Sequence, residues 1–256
     1  MTDSPALTHL LGLLPTPPLC ARSVKLTADS ISGDRVLCTL PRAAFAPQSS
    51  RHFMQISEAF TGVSCAAFLP FLPQCDLFHF GIDPQDGGGQ PAPVRKVYAE
   101  LTQTFAADPA LNYFALKVIG GRHLQTRYLN HLVPDHAAAL ALLATLSLPH
   151  SLRPAAAAFL LYLVDRPPAP DVLDVVEQGS TRRSIDINFS DWPLTARGLG
   201  LLLDLLTALR PSDTGLADLL RPAVSHVAIG TSAAGQAFVT LYGFPHPPAG
   251  HGHAHA

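Results

Sequence analysis

The sequence predicts an α+β fold in which repeated strand–strand–helix units close into an antiparallel β-barrel of about ten strands, with the helices outside. Three observations lead to this prediction. Segments with alternating polar and apolar residues come in pairs joined by turn residues, Leu- and Ala-rich helical segments separate the pairs, and this unit recurs about five times in 256 residues. Closure removes the sheet edges, and the outer helices bury the apolar strand faces. The polar faces then line a lumen.

The first hairpin is expected from Ser23–Thr27 and Arg35–Leu40, because the intervening Gly33-Asp34 pair is typical of a tight turn. The segment Ser49–Phe60 then begins with a serine and has apolar residues at helical spacing, which predicts a helix.

The second hairpin, Asp76–Leu101, has the clearest alternation in the chain. Its two strands are joined by a Gly/Pro-rich loop, and a brief helix over Thr102–Ala107 is expected to follow. The polar positions of the two strands are His79, Gly81, Asp83, Lys96, Tyr98 and Glu100.

The third hairpin is expected from Asn112–Val118 and His123–Asn130, turning at Gly120-Gly121 and placing Tyr113 and Lys117 on one face. The Ala/Leu segment Asp135–Leu148 then predicts a helix with Asp135 as its N-cap.

The fourth hairpin is expected from strands Phe159–Val164 and Arg182–Phe189, joined by a long loop. Ser190-Asp191-Trp192-Pro193 predicts the start of a long Leu-rich helix that ends near Leu209. The fifth hairpin is expected from Ser225–Gly230 and Gln236–Gly243.

The hairpins resemble one another at matching positions. The sequence from His79 is similar to that from His226, and Lys96-Val-Tyr98 is similar to Thr240-Leu-Tyr242. Adjacent strand residues face opposite sides, so Tyr128 and its neighbour Arg127 cannot both face the lumen. The Lys-x-Tyr analogy places Tyr128 inside.

Composition excludes several classes of function. A formal net charge of -2 with 14% charged residues predicts neither nucleic-acid binding nor binding to an anionic membrane. The four cysteines form no CxxC pair or zinc spacing and are expected to be reduced and mostly packed. No segment is long enough to span a bilayer and no signal peptide is recognisable, so a cytoplasmic protein is expected. The expected domains are an N-terminal arm (1–19), one barrel domain (20–244) and a disordered His-rich tail (245–256).

These strand–strand–helix units, with Lys96-x-Tyr98 on the second strand of a hairpin, resemble the ABBA aromatic prenyltransferases, or PT-barrel family. The resemblance covers Ser23–Gly243 in architecture, and the stretch FGIDP…VRKVYAEL is most similar to the Gly-Ile-Asp hairpin of the cyanobactin peptide prenyltransferases, which modify RiPP peptides. It implies transfer of an isoprenyl group from an allylic diphosphate to an aromatic small molecule or peptide in natural-product biosynthesis. No Asp-rich DDxxD pattern is present, so no cofactor or bound metal is required and Mg²⁺ is optional.

The resemblance also implies roles for particular residues. The diphosphate would be bound by Lys25, Lys96, Lys117 and either Arg127 or Arg182. The aromatic belt and acceptor site would be formed by Tyr98, Tyr113, Tyr128, Tyr242 and Asn188. Glu100 or Asp186 would be the base, with His79 and His226 as lesser candidates.

Each of these residues also has an ordinary interpretation. Lys96 and Lys117 could be solvated lysines on a strand face, His79 and His226 could be hydrogen-bonded core histidines, and Asp186 could form a structural ion pair with Arg182 or Arg183. Thr240 occupies a position where a cation is expected, which would leave the cationic ring incomplete. The alternative function is therefore a non-catalytic PT barrel that binds a hydrophobic or aromatic ligand.

Overall fold

A computed structural model describes residues 5–83, 93–101, 105–191, 193–221 and 223–243. Its ten strands are β1 Leu19–Thr27, β2 Ile31–Pro41, β3 Cys75–Asp83, β4 Val94–Leu101, β5 Leu111–Ile119, β6 Arg122–Asn130, β7 Asp171–Glu177, β8 Arg183–Asn188, β9 Val224–Thr231 and β10 Ala237–Gly243. Each strand pairs antiparallel with its neighbour in sequence, and β1 pairs with β10 to close the barrel. The predicted α+β fold, a closed antiparallel ten-stranded barrel with helices around it, is confirmed.

The helices lie outside the barrel in two groups. They are α1 Pro5–Leu13, α2 Ser49–Thr61, α3 His136–Ala144, α4 Arg153–Val164 and α5 Ala196–Leu209. A Phe-rich core lies under α1 and α2, where the rings of Phe53 and Phe78 stack 4.0 Å apart. A Leu-rich core lies under α3, α4 and α5. Because both cores use the outer strand faces, the inner faces are left for polar side chains.

Two hairpin turns differ in how well their sequence predicts them. Gly120 and Gly121 both have positive φ (54° and 80°) and join β5 to β6 in a two-residue turn, as expected. The first turn, in contrast, lies at residues 28–30 and not at Gly33-Asp34, which belong to β2. The Thr27 hydroxyl accepts hydrogen bonds from the backbone N–H groups of Asp29 and Ser30, so a Thr-based turn replaces the expected Gly turn.

The prediction of a strand at Phe159–Val164 is wrong, because this segment forms the second half of α4. A run of six apolar residues does not distinguish a buried strand from a buried helix. The four alanines before Phe159 and Pro154 in the first turn decide in favour of a helix. The first strand of the fourth hairpin is β7, which lies within the segment expected to be a loop.

Three other element boundaries need correction. The helix α3 ends at Ala144, four residues before the predicted end. The helix α5 begins only at Ala196, where the Thr195 hydroxyl accepts a hydrogen bond from the Gly198 N–H, so the cap is Thr195 and not the Ser190–Pro193 segment. Residues 105–107 form a turn instead of the predicted helix, while 102–104 and the His-rich tail lie outside the described residues.

The described residues include no helix that is long and apolar enough to cross a bilayer. All four cysteines have free thiols, and Cys20 and Cys38 face each other across β1 and β2 with their Sγ atoms 2.8 Å apart.

Candidate functional site

The barrel interior contains a polar cavity with about 660 Å³ of empty space, including open solvent at its mouth. Its wall is formed by alternate residues of the strands, as the strand geometry requires. We call the part of the cavity near Lys96 the cation end. The opposite part, near Glu100, is called the acidic end.

The cation end brings together five basic side chains from around the barrel. They are Lys25 on β1, Arg35 on β2, Lys96 on β4, Lys117 on β5 and Arg182 immediately before β8. Burial is the main cause that lowers the pKa of Lys96 well below its usual value, and the positive charges of Arg35, Lys117 and Arg182 lower it further. Cations that repel one another in this way are arranged to receive an anion.

Two buried carboxylates balance part of this charge. Asp83 Oδ2 accepts a hydrogen bond of 2.8 Å from Arg35 Nε and lies 4.0 Å from Lys96 Nζ. Glu177 Oε2 lies 3.6 Å from Lys117 Nζ. Asp83 is 3% exposed and Glu177 2%, so both carboxylates belong to the cavity wall and not to the outer surface.

Arg35 also explains how the cationic ring is completed at Thr240. A guanidinium nitrogen of Arg35 donates a hydrogen bond of 3.3 Å to Thr240 Oγ1. The side chain therefore reaches the position on β10 where the repeat pattern predicts a cation. Thr240 provides a hydroxyl acceptor there, and β2 supplies the charge.

A layer of aromatic side chains lies beside the cation end. The rings of Tyr98 and Tyr128 are 5.8 Å apart, those of Tyr113 and Tyr128 are 5.7 Å apart, and Tyr242 lines the same cavity. Burial is the largest cause that raises the pKa of all four tyrosines, so their hydroxyls stay neutral. Phe238 lies between two cations, 5.1 Å from Lys25 Nζ and 5.5 Å from the Arg182 guanidinium carbon.

The acidic end contains a chain of hydrogen-bonded side chains. The Nδ1 atom of His79 lies 2.8 Å from Thr39 Oγ1, and its Nε2 atom lies 2.9 Å from Glu100 Oε2. The His79 ring also contacts Tyr113, with centroids 5.8 Å apart. These contacts fix the orientation of the Glu100 carboxylate relative to the tyrosine layer.

Asp186 lies deeper in the cavity and is held differently. Burial is the main cause that raises its pKa, against the opposing effects of His226 and Arg182. Its Oδ1 atom is buried and has no hydrogen-bond partner among the described residues. Arg183 does not pair with it, because both ends of that guanidinium bind Asp174, at 3.0 and 2.7 Å.

Most of the residues singled out in the sequence meet in this lumen. Those that line the cavity are Lys25, Lys96, Lys117, Arg182, Tyr98, Tyr128, Tyr242 and Asp186. Those that adjoin it through ring contacts or hydrogen bonds are Tyr113, His79, Glu100 and His226.

Two of the residues singled out in the sequence make contacts outside the cavity. Arg127 points outward, is ion-paired with Asp108 and has a side chain 47% exposed, so Arg182 is the one of the two arginines in the lumen. Asn188 accepts a hydrogen bond of 2.9 Å from the Ser190 N–H and closes the end of β8.

The cavity wall also contains four charged or aromatic residues to which the sequence analysis assigns no role. They are Arg35, Asp83, Glu177 and Phe238. Asp83 and Phe238 lie on polar faces that the alternation does reveal. Glu177 was missed because β7 was read as a loop.

The donor set of the cavity does not form a protein metal site. Among the described residues, no three His, Cys, Asp or Glu side chains come together as metal ligands. Asp83 and Glu177 are each bound to basic side chains.

The fold is similar to solved structures of ABBA-type aromatic prenyltransferases. The match to 5-dimethylallyltryptophan synthase from Streptomyces coelicolor has a TM-score of 0.61 at 12% identity and covers 88% of this chain and 80% of that chain. AnaPT from Neosartorya fischeri gives a TM-score of 0.53 at 14% identity, covering 88% and 78%. NotF in complex with brevianamide F and DMSPP gives 0.51 at 10% identity, covering 88% and 79%.

These likenesses show that the chain has the PT-barrel fold. They do not support the narrower resemblance to the cyanobactin enzymes. No family model and no curated protein sequence matches the chain.

Proposed function

We propose that this protein transfers an isoprenyl group from an allylic diphosphate to an electron-rich aromatic acceptor. The observation that carries the proposal is the convergence of five basic side chains at one end of a closed barrel, next to a layer of tyrosines. A diphosphate needs such a ring of cations, and an allylic cation needs aromatic walls that exclude water.

The cation end suits the donor in charge. Its five basic side chains present a cluster of positive charge to an anionic diphosphate. Arg35 and Arg182 offer fork-shaped donors to phosphate oxygens, whereas Lys25, Lys96 and Lys117 act as point charges. Binding the donor would relieve the repulsion among Lys96, Arg35 and Lys117, and this gain favours an occupied site.

The transfer itself needs no group beyond those in the lumen. The carbon–oxygen bond of the donor breaks, and the diphosphate leaves with both electrons towards the cations. The allylic carbon, shielded by Tyr98, Tyr128 and Tyr242, forms a bond with an acceptor ring carbon. The acceptor then loses one proton, which restores its aromaticity.

Glu100 is the base that we assign to this proton. Its carboxylate lies beside the tyrosine layer and is oriented by His79, which is held in turn by Thr39. Asp186 is the second candidate for the base. The acceptor is an aromatic small molecule or a peptide side chain, as in natural-product biosynthesis. Mg²⁺ remains optional, and the cytoplasmic location remains a prediction.

A barrel that binds a ligand without catalysis is the alternative, and one observation favours it. Asp83 and Glu177 already pair with Arg35 and Lys117, so protein carboxylates engage part of the cationic ring. In that case the cavity would bind an aromatic or hydrophobic ligand and would not cleave a diphosphate.

Calorimetry with the unreactive thiolodiphosphate analogue of dimethylallyl diphosphate, with and without Mg²⁺, tests the proposal. We expect specific binding that Lys96→Met weakens and that Arg221→Met, a change on the outer surface, leaves intact. Absence of binding at millimolar analogue would overturn the donor site. Binding of the natural donor without product, across indoles, phenols and Trp- or Tyr-containing peptides, would favour the non-catalytic barrel.

A further inference from the structure

The inward-facing side chains reverse their charge along the lumen. Inward-facing positions at the acidic end carry Glu100 on β4, Asp171 on β7 and Asp186 on β8, and none of the described strands has an inward-facing Lys or Arg there. Asp171 belongs to this set because Val175 and Glu177 of the same strand line the cavity and alternate residues share a face. The two histidines that face this space are His79 and His226.

The three carboxylates act on one shared space. After burial, the pKa of Tyr113 is raised by the negative charges of Glu100, Asp186 and Asp171 and by a hydrogen bond to Glu100. Glu100 also contacts His79, whose second nitrogen contacts Thr39. Among the described residues, the basic partner of Glu100 at this end is thus a histidine and not a Lys or Arg.

Asp186 supplies the second, independent observation. Its Oδ1 atom is buried in the cavity wall and has no hydrogen-bond partner among the described residues. Of the groups that face it, His226 has its Nδ1 on the Ser225 hydroxyl at 2.8 Å, and Arg182 belongs to the cation end. A buried carboxylate oxygen without a donor is destabilising, so a bound group that brings N–H donors and positive charge would stabilise the site.

We propose that the acceptor is an arylalkylamine, an electron-rich aromatic ring that carries an ammonium group and no carboxylate, with the ammonium bound by Asp186. This inference rests on the proposed function in one respect: the aromatic ring of the acceptor must face the tyrosine layer, where transfer takes place. Asp171 and Glu100 add long-range attraction for the ammonium and repel an acceptor carboxylate. Glu100 stays with His79 and keeps its role as base, because a different carboxylate holds the amine.

Four compounds with the same indole ring separate charge from ring recognition: tryptamine, tryptophan, indole-3-propionate and 3-methylindole. Their binding is measured by calorimetry on the protein with and without the thiolodiphosphate analogue. We expect tryptamine to bind on the order of tenfold more tightly than tryptophan, and indole-3-propionate to bind most weakly. Asp186→Asn should lower the affinity for tryptamine about tenfold and should change the affinity for 3-methylindole by about twofold at most.

The controls distinguish this inference from the proposed function. Asp165→Asn changes an exposed carboxylate of the outer surface and should leave all four affinities unaltered. Equal affinities for tryptamine and indole-3-propionate on the unaltered protein would overturn the inference, whether or not the donor analogue binds. A preserved tryptamine preference in a folded Asp186→Asn variant would do the same. Failure of the donor analogue alone would overturn the proposed function and leave the ammonium preference as a tested property of the lumen.

Discussion

The two ends of the lumen are built from the same strands but carry opposite charge. On β4, Lys96 and Glu100 share one face four residues apart, and just before and within β8, Arg182 and Asp186 have the same spacing. Four strand residues span about 13 Å, so each of these segments contributes to both ends without a change of face. Basic and acidic residues can therefore be chosen separately at the two ends of the lumen. The reversal of charge favours one orientation of a bound donor, with its diphosphate at the cation end.

The two ends also differ in how well their charges are compensated. At the acidic end Glu100 is held by His79. At the cation end Lys96 is surrounded by three like charges and lies 4.0 Å from its carboxylate partner Asp83. Lys96 thus lies among like charges, which suits a site that receives an anion, whereas the contact with His79 gives the Glu100 carboxylate a fixed orientation. Four measurements test this difference.

The largest effect is expected at the acidic end, from Glu100→Gln. The amide keeps the shape and a hydrogen bond to His79 but cannot accept the acceptor proton, so transfer should slow by about 10²- to 10⁴-fold. Product formation at saturating donor measures the rate, and calorimetry with the thiolodiphosphate analogue measures donor affinity. A large loss of donor affinity would show that the two ends are not independent and would contradict the role of base.

The next effect concerns stability at the cation end. Arg35→Met removes the closest basic partner of the buried Asp83 carboxylate, and breaking such a pair costs about 3 kcal/mol of unfolding free energy. Urea unfolding measures it. The double variant Arg35→Met/Asp83→Asn should recover most of the loss, because no unpaired charge remains. If Arg35→Met costs no more than Arg221→Met in the exposed pair with Asp218, the Arg35–Asp83 pair does not stabilise the barrel.

A smaller change is expected for Lys96→Met, and it should affect the donor and not the fold. Charge-assisted hydrogen bonds contribute about 1.5–3 kcal/mol, so the affinity for the donor analogue should fall by about ten- to a hundredfold. Unfolding free energy should hold or rise, because the change removes repulsion from Arg35, Lys117 and Arg182. An unfolded variant would mark Lys96 as a packing residue and would remove the contrast between the two ends.

The fold was predictable because its signals are local. A few consecutive residues are enough to predict the strand around Lys96 and Tyr98, from its alternation, and the turn at Gly120-Gly121, from its two glycines. The apolar run Phe159–Val164 carries no such signal by itself, because helix and strand both bury an apolar run. The local signal for a helix lies just before it, in Pro154 and the four alanines.

The candidate site was only partly predictable because its remaining contacts are distant in sequence. Arg35 meets Asp83 48 residues away and Thr240 205 residues away. No local pattern pairs these residues: the pairing of β2 with β3 brings Arg35 to Asp83, and the closure of β1 on β10 brings it to Thr240. Tyr98, in contrast, could be placed inside from alternation, and Tyr128 from its analogy with the Lys96-x-Tyr98 pattern. Strand periodicity thus predicts which side a residue faces, whereas closure decides which residues meet.

The last prediction concerns how the contribution of Lys96 to the unfolding free energy depends on pH. In the folded protein the pKa of Lys96 lies well below its usual value, so between the two values the unfolded chain binds more protons than the folded one. Stability must therefore rise with pH across this interval, by at most about 1.4 kcal/mol per pH unit. The buried tyrosines have raised pKa values and act in the opposite direction only at more alkaline pH. We expect the unfolding free energy of the unaltered protein, minus that of Lys96→Met, to increase from pH 6.5 to pH 9 in urea titrations. A difference that stays flat or decreases would mean that burial and the neighbouring cations do not lower the pKa of Lys96. The contrast between Lys96 and the hydrogen-bonded Glu100 would then be lost.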